Sequence, residues 1–127
     1  MRTSSINNPA SANQDAILTK AILKMANFYG LNGKELSEIL GISEATATRL
    51  HQGKKQLAAD TKEGEMALLL LRLYRSLNAL VGNNHEKAKA WLRSDNYYFH
   101  KKPLEQIKTI AGLVAVVNYL DAMRGKI

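Results

Sequence analysis

Between Met66 and Leu80 the chain reads MALLLLRLYRSLNAL, and this run sets the terms for everything around it. Met66, Leu69, Leu70, Leu73, Leu77 and Leu80 recur at helical spacing and form one stripe. Leu68, Leu71 and Tyr74 widen it well beyond a single face. A helix that is apolar around most of its circumference must be covered on several sides. A chain of 127 residues can do this with its own helices, or a second copy can help. Arg72 interrupts the run, which is also far shorter than the roughly 20 apolar residues a bilayer span requires, so no membrane role is expected.

The same period organises the rest. Ile17, Leu18, Ala21, Ile22, Met25, Ala26 and Phe28/Tyr29 predict a helix from Asp15 that Gly30 stops. Asn32, with Glu35 three residues on, makes a capping box for GKELSEIL, which ends at Gly41. Ser43 caps a third helix reaching Gln52, with Gly53 as its stop, and KKQLAAD reads as a polar connection. The long helix is expected from Thr61 to Val81. Asn83 or Asn84 caps HEKAKAWLR, which carries the single tryptophan, Trp91. SDNYYFHKK is a loop with aromatic anchors, and Pro103 opens a short helix, PLEQIKTI. In AGLVAVVNYLDAMRGKI, Leu113, Val116, Val117, Leu120 and Met123 are spaced for a last helix. The fold class is therefore all-α. A tail over 1–14 precedes a helix-turn-helix region over 15–62 and a second helical region over 63–127.

The corner GKELSEILGISEATATRLHQ has the layout of a helix-turn-helix. Leu36, Leu40, Ala47 and Leu50 should face inward, Ile42 should plug the turn, and Gly41 should take positive φ. The second helix then exposes Ser43, Glu44, Ala45, Thr48, Arg49 and Gln52, with Thr46 among them. Short polar side chains at a helix N-terminus can reach base edges in a major groove. Arg49, Lys54 and Lys55 are candidate phosphate contacts. The charge balance agrees, since 18 Lys+Arg against 11 Asp+Glu give a formal charge of +7 and favour a polyanionic partner.

The stretch LGISEATATRLHQGKK resembles the Xre family, the phage-repressor type of DNA-binding domain, over about Asp15 to Lys55. Family members often carry glutamine where this chain has Glu44. A carboxylate there can accept a hydrogen bond from cytosine but is repelled by phosphate.

From about Met66 onward the order of features resembles the C-terminal domain of the Xre/MbcA/ParS antitoxins. The matches are Trp91-Leu92, Asn96, Pro103-Leu104, Gly112, Val116, Leu120 and Gly125; FHKKP departs from the glycine the family often has before the proline. The resemblance implies a type II antitoxin that binds a cognate toxin, usually of the NAD-consuming RES type, occludes its active site and represses its own operon. The NAD chemistry would be the toxin's. For toxin binding, Tyr97, Tyr98, Lys101, Lys102, Tyr119, Met123, Arg124, Gly125, Lys126 and Ile127 are the candidates, because loop aromatics are common interface anchors and a short tail can enter a pocket. A homodimer is expected to use Met66, Leu69, Leu70, Leu73 and Leu77. The alternative is a stand-alone Xre-like repressor whose C-terminal half only dimerises.

No enzyme is expected. His51, His85 and His100 lack metal spacing and read as surface or capping residues. No serine sits in a nucleophile elbow and no glycine-rich phosphate loop follows a strand. With no cysteine there is neither a disulfide nor a thiolate metal site, which suits the cytoplasm. The expected partners are the toxin, operator DNA and a second copy, with no cofactor and no metal.

Overall fold

The computed structural model describes residues 9–126, so the part of the expected tail over 1–8, and Ile127, lie outside the described residues. Among these the chain forms seven helices: α1 (Pro9–Tyr29), α2 (Gly33–Leu40), α3 (Glu44–His51), α4 (Lys62–Leu80), α5 (His85–Arg93), α6 (Pro103–Gln106) and α7 (Ile110–Arg124). The first helix begins earlier than its apolar spacing predicts. Residues 9–14, expected in the tail, are helical, and Pro9 opens the helix where a missing N–H costs least.

The caps follow the sequence closely. Asn32 and Glu35 form the capping box of α2, and Gly41 ends it at φ 73°. The N–H groups of Gly41 and Ile42 both donate to the Ser37 carbonyl, at 2.9 and 3.0 Å, which closes the turn. Leu36, Leu40, Ala47 and Leu50 are buried beneath the corner.

Helix α4 is covered by its own chain. Helix α7 lies along it, α1 packs on another side, and α2 and α5 touch it. Leu70, Leu73 and Leu77 are consequently at most 1% exposed. That corrects their assignment to a dimer interface: they face α1 and α7 inside one protomer, in a core shared with Ile22, Met25, Leu113 and Val117. Met66 and Leu69 are half-buried, and the leucine left 50% exposed on this helix is Leu68. Burying each leucine stabilises the fold by about 1.5–3 kcal/mol. One apolar cluster runs from Leu18 to Leu120, so both regions share a single core.

The connection after α3 is less polar in its role than its composition suggests. Leu57 and Ala58 are buried. The Leu57 N–H donates to Thr19 Oγ1 at 2.7 Å and the Ala59 N–H to Asp15 Oδ1 at 3.1 Å, so buried polar groups on α1 hold this segment. Gly64 lets α4 start against it, since a Cβ there would overlap the Ala58 carbonyl oxygen.

Two ion-pair sites tie the corner to the C-terminal half: Arg93 with Glu35 at 2.9 Å, and Lys108 with Glu38 at 3.5 Å. Inside, the Tyr29 hydroxyl donates to Asn78 Oδ1 at 2.6 Å, and burial raises the phenol pKa. His85 is not a simple surface residue. It is half-buried and stacks on Phe28 at 4.1 Å between ring centroids, which fastens α5 to α1.

Candidate functional site

The first surface is built on α3. Ser43 stands in extended conformation and its Oγ accepts the Thr46 N–H at 3.0 Å, so the helix starts at an exposed corner. Ser43, Glu44, Ala45, Thr48, Arg49 and Gln52 are all exposed, and Thr46 is half-buried. Thr46 Oγ1 lies 2.9 Å from Ser43 Oγ and accepts from Arg49 Nη2 at 3.3 Å, which lays the guanidinium back along the helix. Thr48 donates to the Glu44 carbonyl at 3.0 Å. Gly53, at φ 74°, turns the chain so that Lys54 and Lys55 follow in the open. Of the candidate residues from Ser43 to Lys55, all but Thr46 are therefore exposed.

The structure adds cations that the sequence pattern did not single out. Lys20 and Lys24 of α1 line a groove of about 590 Å³ together with Lys55 and Gln56. Their signal is two lysines four residues apart on the polar side of α1.

The second surface is the loop before α6 together with the outside of α7. Asn96 organises the loop: its Oδ1 accepts the N–H groups of Tyr98 and Phe99 at 2.8 and 3.1 Å. Its backbone N–H donates to the Lys101 carbonyl and its carbonyl accepts from the His100 N–H. His100 takes φ 60°, left-handed backbone at a non-glycine residue, within the stretch where a glycine was missing. Held this way, Tyr97 is 95% exposed and Tyr98 is 66% exposed, with Lys101 and Lys102 exposed beside them. Tyr119 on α7 is half-buried among Tyr98, Phe99 and Trp91, with ring centroids 4.8, 5.3 and 6.4 Å away. Tyr98, Phe99 and Tyr119 border a groove of about 460 Å³ with Ala115, Asn118, Ala122, Met123 and Lys126.

Thr109 caps α7 by accepting the Gly112 N–H at 3.0 Å. Gly112 has no room for a Cβ, which would overlap the Gln106 carbonyl oxygen, so α6 and α7 meet at the closest approach backbones allow. The helix runs to Arg124, so Met123 stands in it as its spacing predicts and Arg124 is helical too; Gly125 and Lys126 follow in a turn, and Ile127 lies outside the described residues.

The outer face of α7 is the feature that the inward stripe of this helix conceals in the sequence. Ile110, Ala111, Val114, Ala115, Asn118 and Ala122 are exposed, and none carries a charge. A helix that is apolar inward and uncharged outward is suited to being covered on both sides. On its α4 side, Ile110 and Val114 join Met66, Leu68 and Leu69, with Glu65 and Arg72 at hand, around a groove of about 490 Å³. No helix among the described residues is long and apolar enough to cross a membrane.

Two family models match the chain. An antitoxin Xre-like helix-turn-helix domain covers residues 9–72, and an antitoxin Xre/MbcA/ParS C-terminal toxin-binding domain covers residues 76–126. Among curated proteins none matches.

Proposed function

We propose that this chain, which belongs to the antitoxin Xre-like helix-turn-helix family, neutralises a cognate toxin by laying the outside of α7 and the aromatic loop over the toxin's active site. The observation that carries this reading is the uncharged outer face of Ala111, Ala115, Asn118 and Ala122, within the segment matched by the toxin-binding domain. Beside it, Tyr97 and Tyr98 offer large, stiff side chains of the kind that anchor interfaces. We assign the toxin to the NAD-consuming RES type on the order of landmarks from Trp91 to Gly125; any NAD chemistry is then the toxin's.

The α3 strip with Arg49, Lys54 and Lys55 supports operator binding and thereby autoregulation in the cytoplasm. Lys20 and Lys24 extend its basic border. Two copies bound about one helical turn apart, roughly 34–36 Å, read two half-sites. The groove of Met66, Leu68, Leu69, Ile110 and Val114 is the surface we give to the second copy.

The test is co-expression with the protein encoded by the neighbouring reading frame. The wild-type chain should rescue growth and co-purify with that protein. Ala115→Arg, in the middle of the outer face, should lose both while melting at the wild-type temperature. Rescue that survives Ala115→Arg removes the outer face from the mechanism. A wild-type chain that neither binds nor rescues replaces the antitoxin reading with that of a stand-alone repressor.

A further inference from the structure

The last turn of α7 has a second flank, where two of the toxin-binding candidates, Arg124 and Gly125, meet α4. Arg72 and Arg75 of α4 and Arg124 of α7 stand around Asp121 and Gly125, lining an open cleft of about 400 Å³. Arg72 is paired with the Asp121 carboxylate. Asp121 Oδ1 accepts the Ser76 hydroxyl at 2.6 Å, and Ser76 Oγ accepts from Arg124 Nη1 at 3.3 Å. Arg75 has no ion-pair partner among the described residues. Three guanidinium groups therefore line a cleft with a single carboxylate, which only Arg72 pairs with directly. For stability alone this is a poor arrangement, because like charges around a concavity repel and the shape concentrates their field. It suits the arrival of an anion.

We propose that this cleft receives a carboxylate side chain from the protein that covers α7. The guanidinium fork matches a carboxylate with two parallel hydrogen bonds, and Arg75 and Arg124 have donors to spare. Position argues for a protein. The same turn of α7 that gives Asp121, Arg124 and Gly125 to the cleft gives Ala122, Met123 and Lys126 to the aromatic groove, so whatever sits over this turn straddles both. A nucleic-acid backbone would need more cations along its track. The surface leading away instead carries Val114, Ala115, Asn118 and Ala122. The inference rests on the reading of α7 as the toxin-binding face and adds the chemistry of the group that partner must present, an aspartate or glutamate near the edge of the interface.

The experiment uses the full chain and the toxin encoded beside it, with affinity measured by calorimetry at low and at physiological salt. Arg75→Gln with Arg124→Gln should weaken binding roughly 10- to 100-fold and flatten its salt dependence. Arg75→Gln alone, which breaks no bond of the fold, should weaken it in the same direction at an unchanged melting temperature. Arg75→Glu should be rescued by changing one exposed acidic residue of the toxin to arginine. An affinity and salt dependence untouched by the double variant, in a complex that Ala115→Arg still breaks, overturns the cleft and leaves the α7 reading standing. No complex with the wild-type chain overturns both. A double variant that weakens operator binding without affecting the toxin complex overturns the proposal in favour of a phosphate contact.

Discussion

Glu35 and Arg93 clasp the corner to the C-terminal half. Arg93 Nη1 donates to Oε2 at 2.9 Å and Nη2 to Oε1 at 3.1 Å, while Nη2 also reaches the Gly30 carbonyl at 2.7 Å. The Arg93 hydrogen bonds hold the Glu35 carboxyl below its ordinary value of 4.5. Glutamine can still close the capping box but carries no charge. Glu35→Gln should therefore cost about 1 kcal/mol at neutral pH, the pair being partly screened by solvent. Because the folded value is lowered, the carboxylate's contribution is complete above the unfolded value and is lost as pH falls through the folded one. Urea unfolding from pH 7 downward should show wild type and variant converging below about pH 4.5. A gap that does not change with pH would refute the ionic part of the clasp.

Two leucines of α4 should behave as opposites. Leu73 is fully buried, so Leu73→Ala should destabilise the fold by about 2–5 kcal/mol in chemical denaturation. Leu68 is 50% exposed, so Leu68→Lys should leave the melting curve in place and shift sedimentation from dimer to monomer. A Leu68→Lys chain that sediments like a dimeric wild type removes Leu68 from the self-association surface, and a wild type that sediments as a monomer removes the self-association itself.

Asn96 holds the backbone N–H groups of Tyr98 and Phe99 on a single side-chain oxygen. Asn96→Ala should loosen Tyr97 and Tyr98 and lower toxin affinity about tenfold, the worth of roughly one neutral hydrogen-bonded turn. Hydrogen exchange should rise at Tyr98 and Phe99 but not within α4. Unchanged exchange there would deny Asn96 its organising role.

Replacing Arg49, Lys54 and Lys55 together with glutamine should weaken operator binding. It should also lower the slope of log affinity against log salt by about one unit for each phosphate no longer neutralised. Gel shifts across a salt series measure both quantities. An unchanged slope would show that these three side chains touch no phosphate.

The sequence was most legible where one residue does one local job. The Asn32–Glu35 box, the Gly41 turn and the Ser43 cap stand as their chemistry dictates. Gly112 and Asn96, matched only as family landmarks, gain physical reasons in a close helix approach and a held loop. Features decided by tertiary packing were harder to read. PASANQ has no apolar stripe, so the start of α1 at Pro9 left no periodic trace. A leucine stripe cannot say whether its cover comes from the same chain, and α4 proved to be covered by α7 and α1 of its own chain. The outer face of α7 was legible in principle, as a missing charge at Ala111, Val114, Ala115 and Ala122, but the stronger inward stripe masks it.

The unbroken apolar interior from Leu18 to Leu120 limits how such chains can diversify. A front half inherited from one lineage cannot simply be spliced to a back half from another, because Tyr29, Leu73 and Leu92 would meet strangers. Any exchange of one half must therefore carry its share of that interior with it.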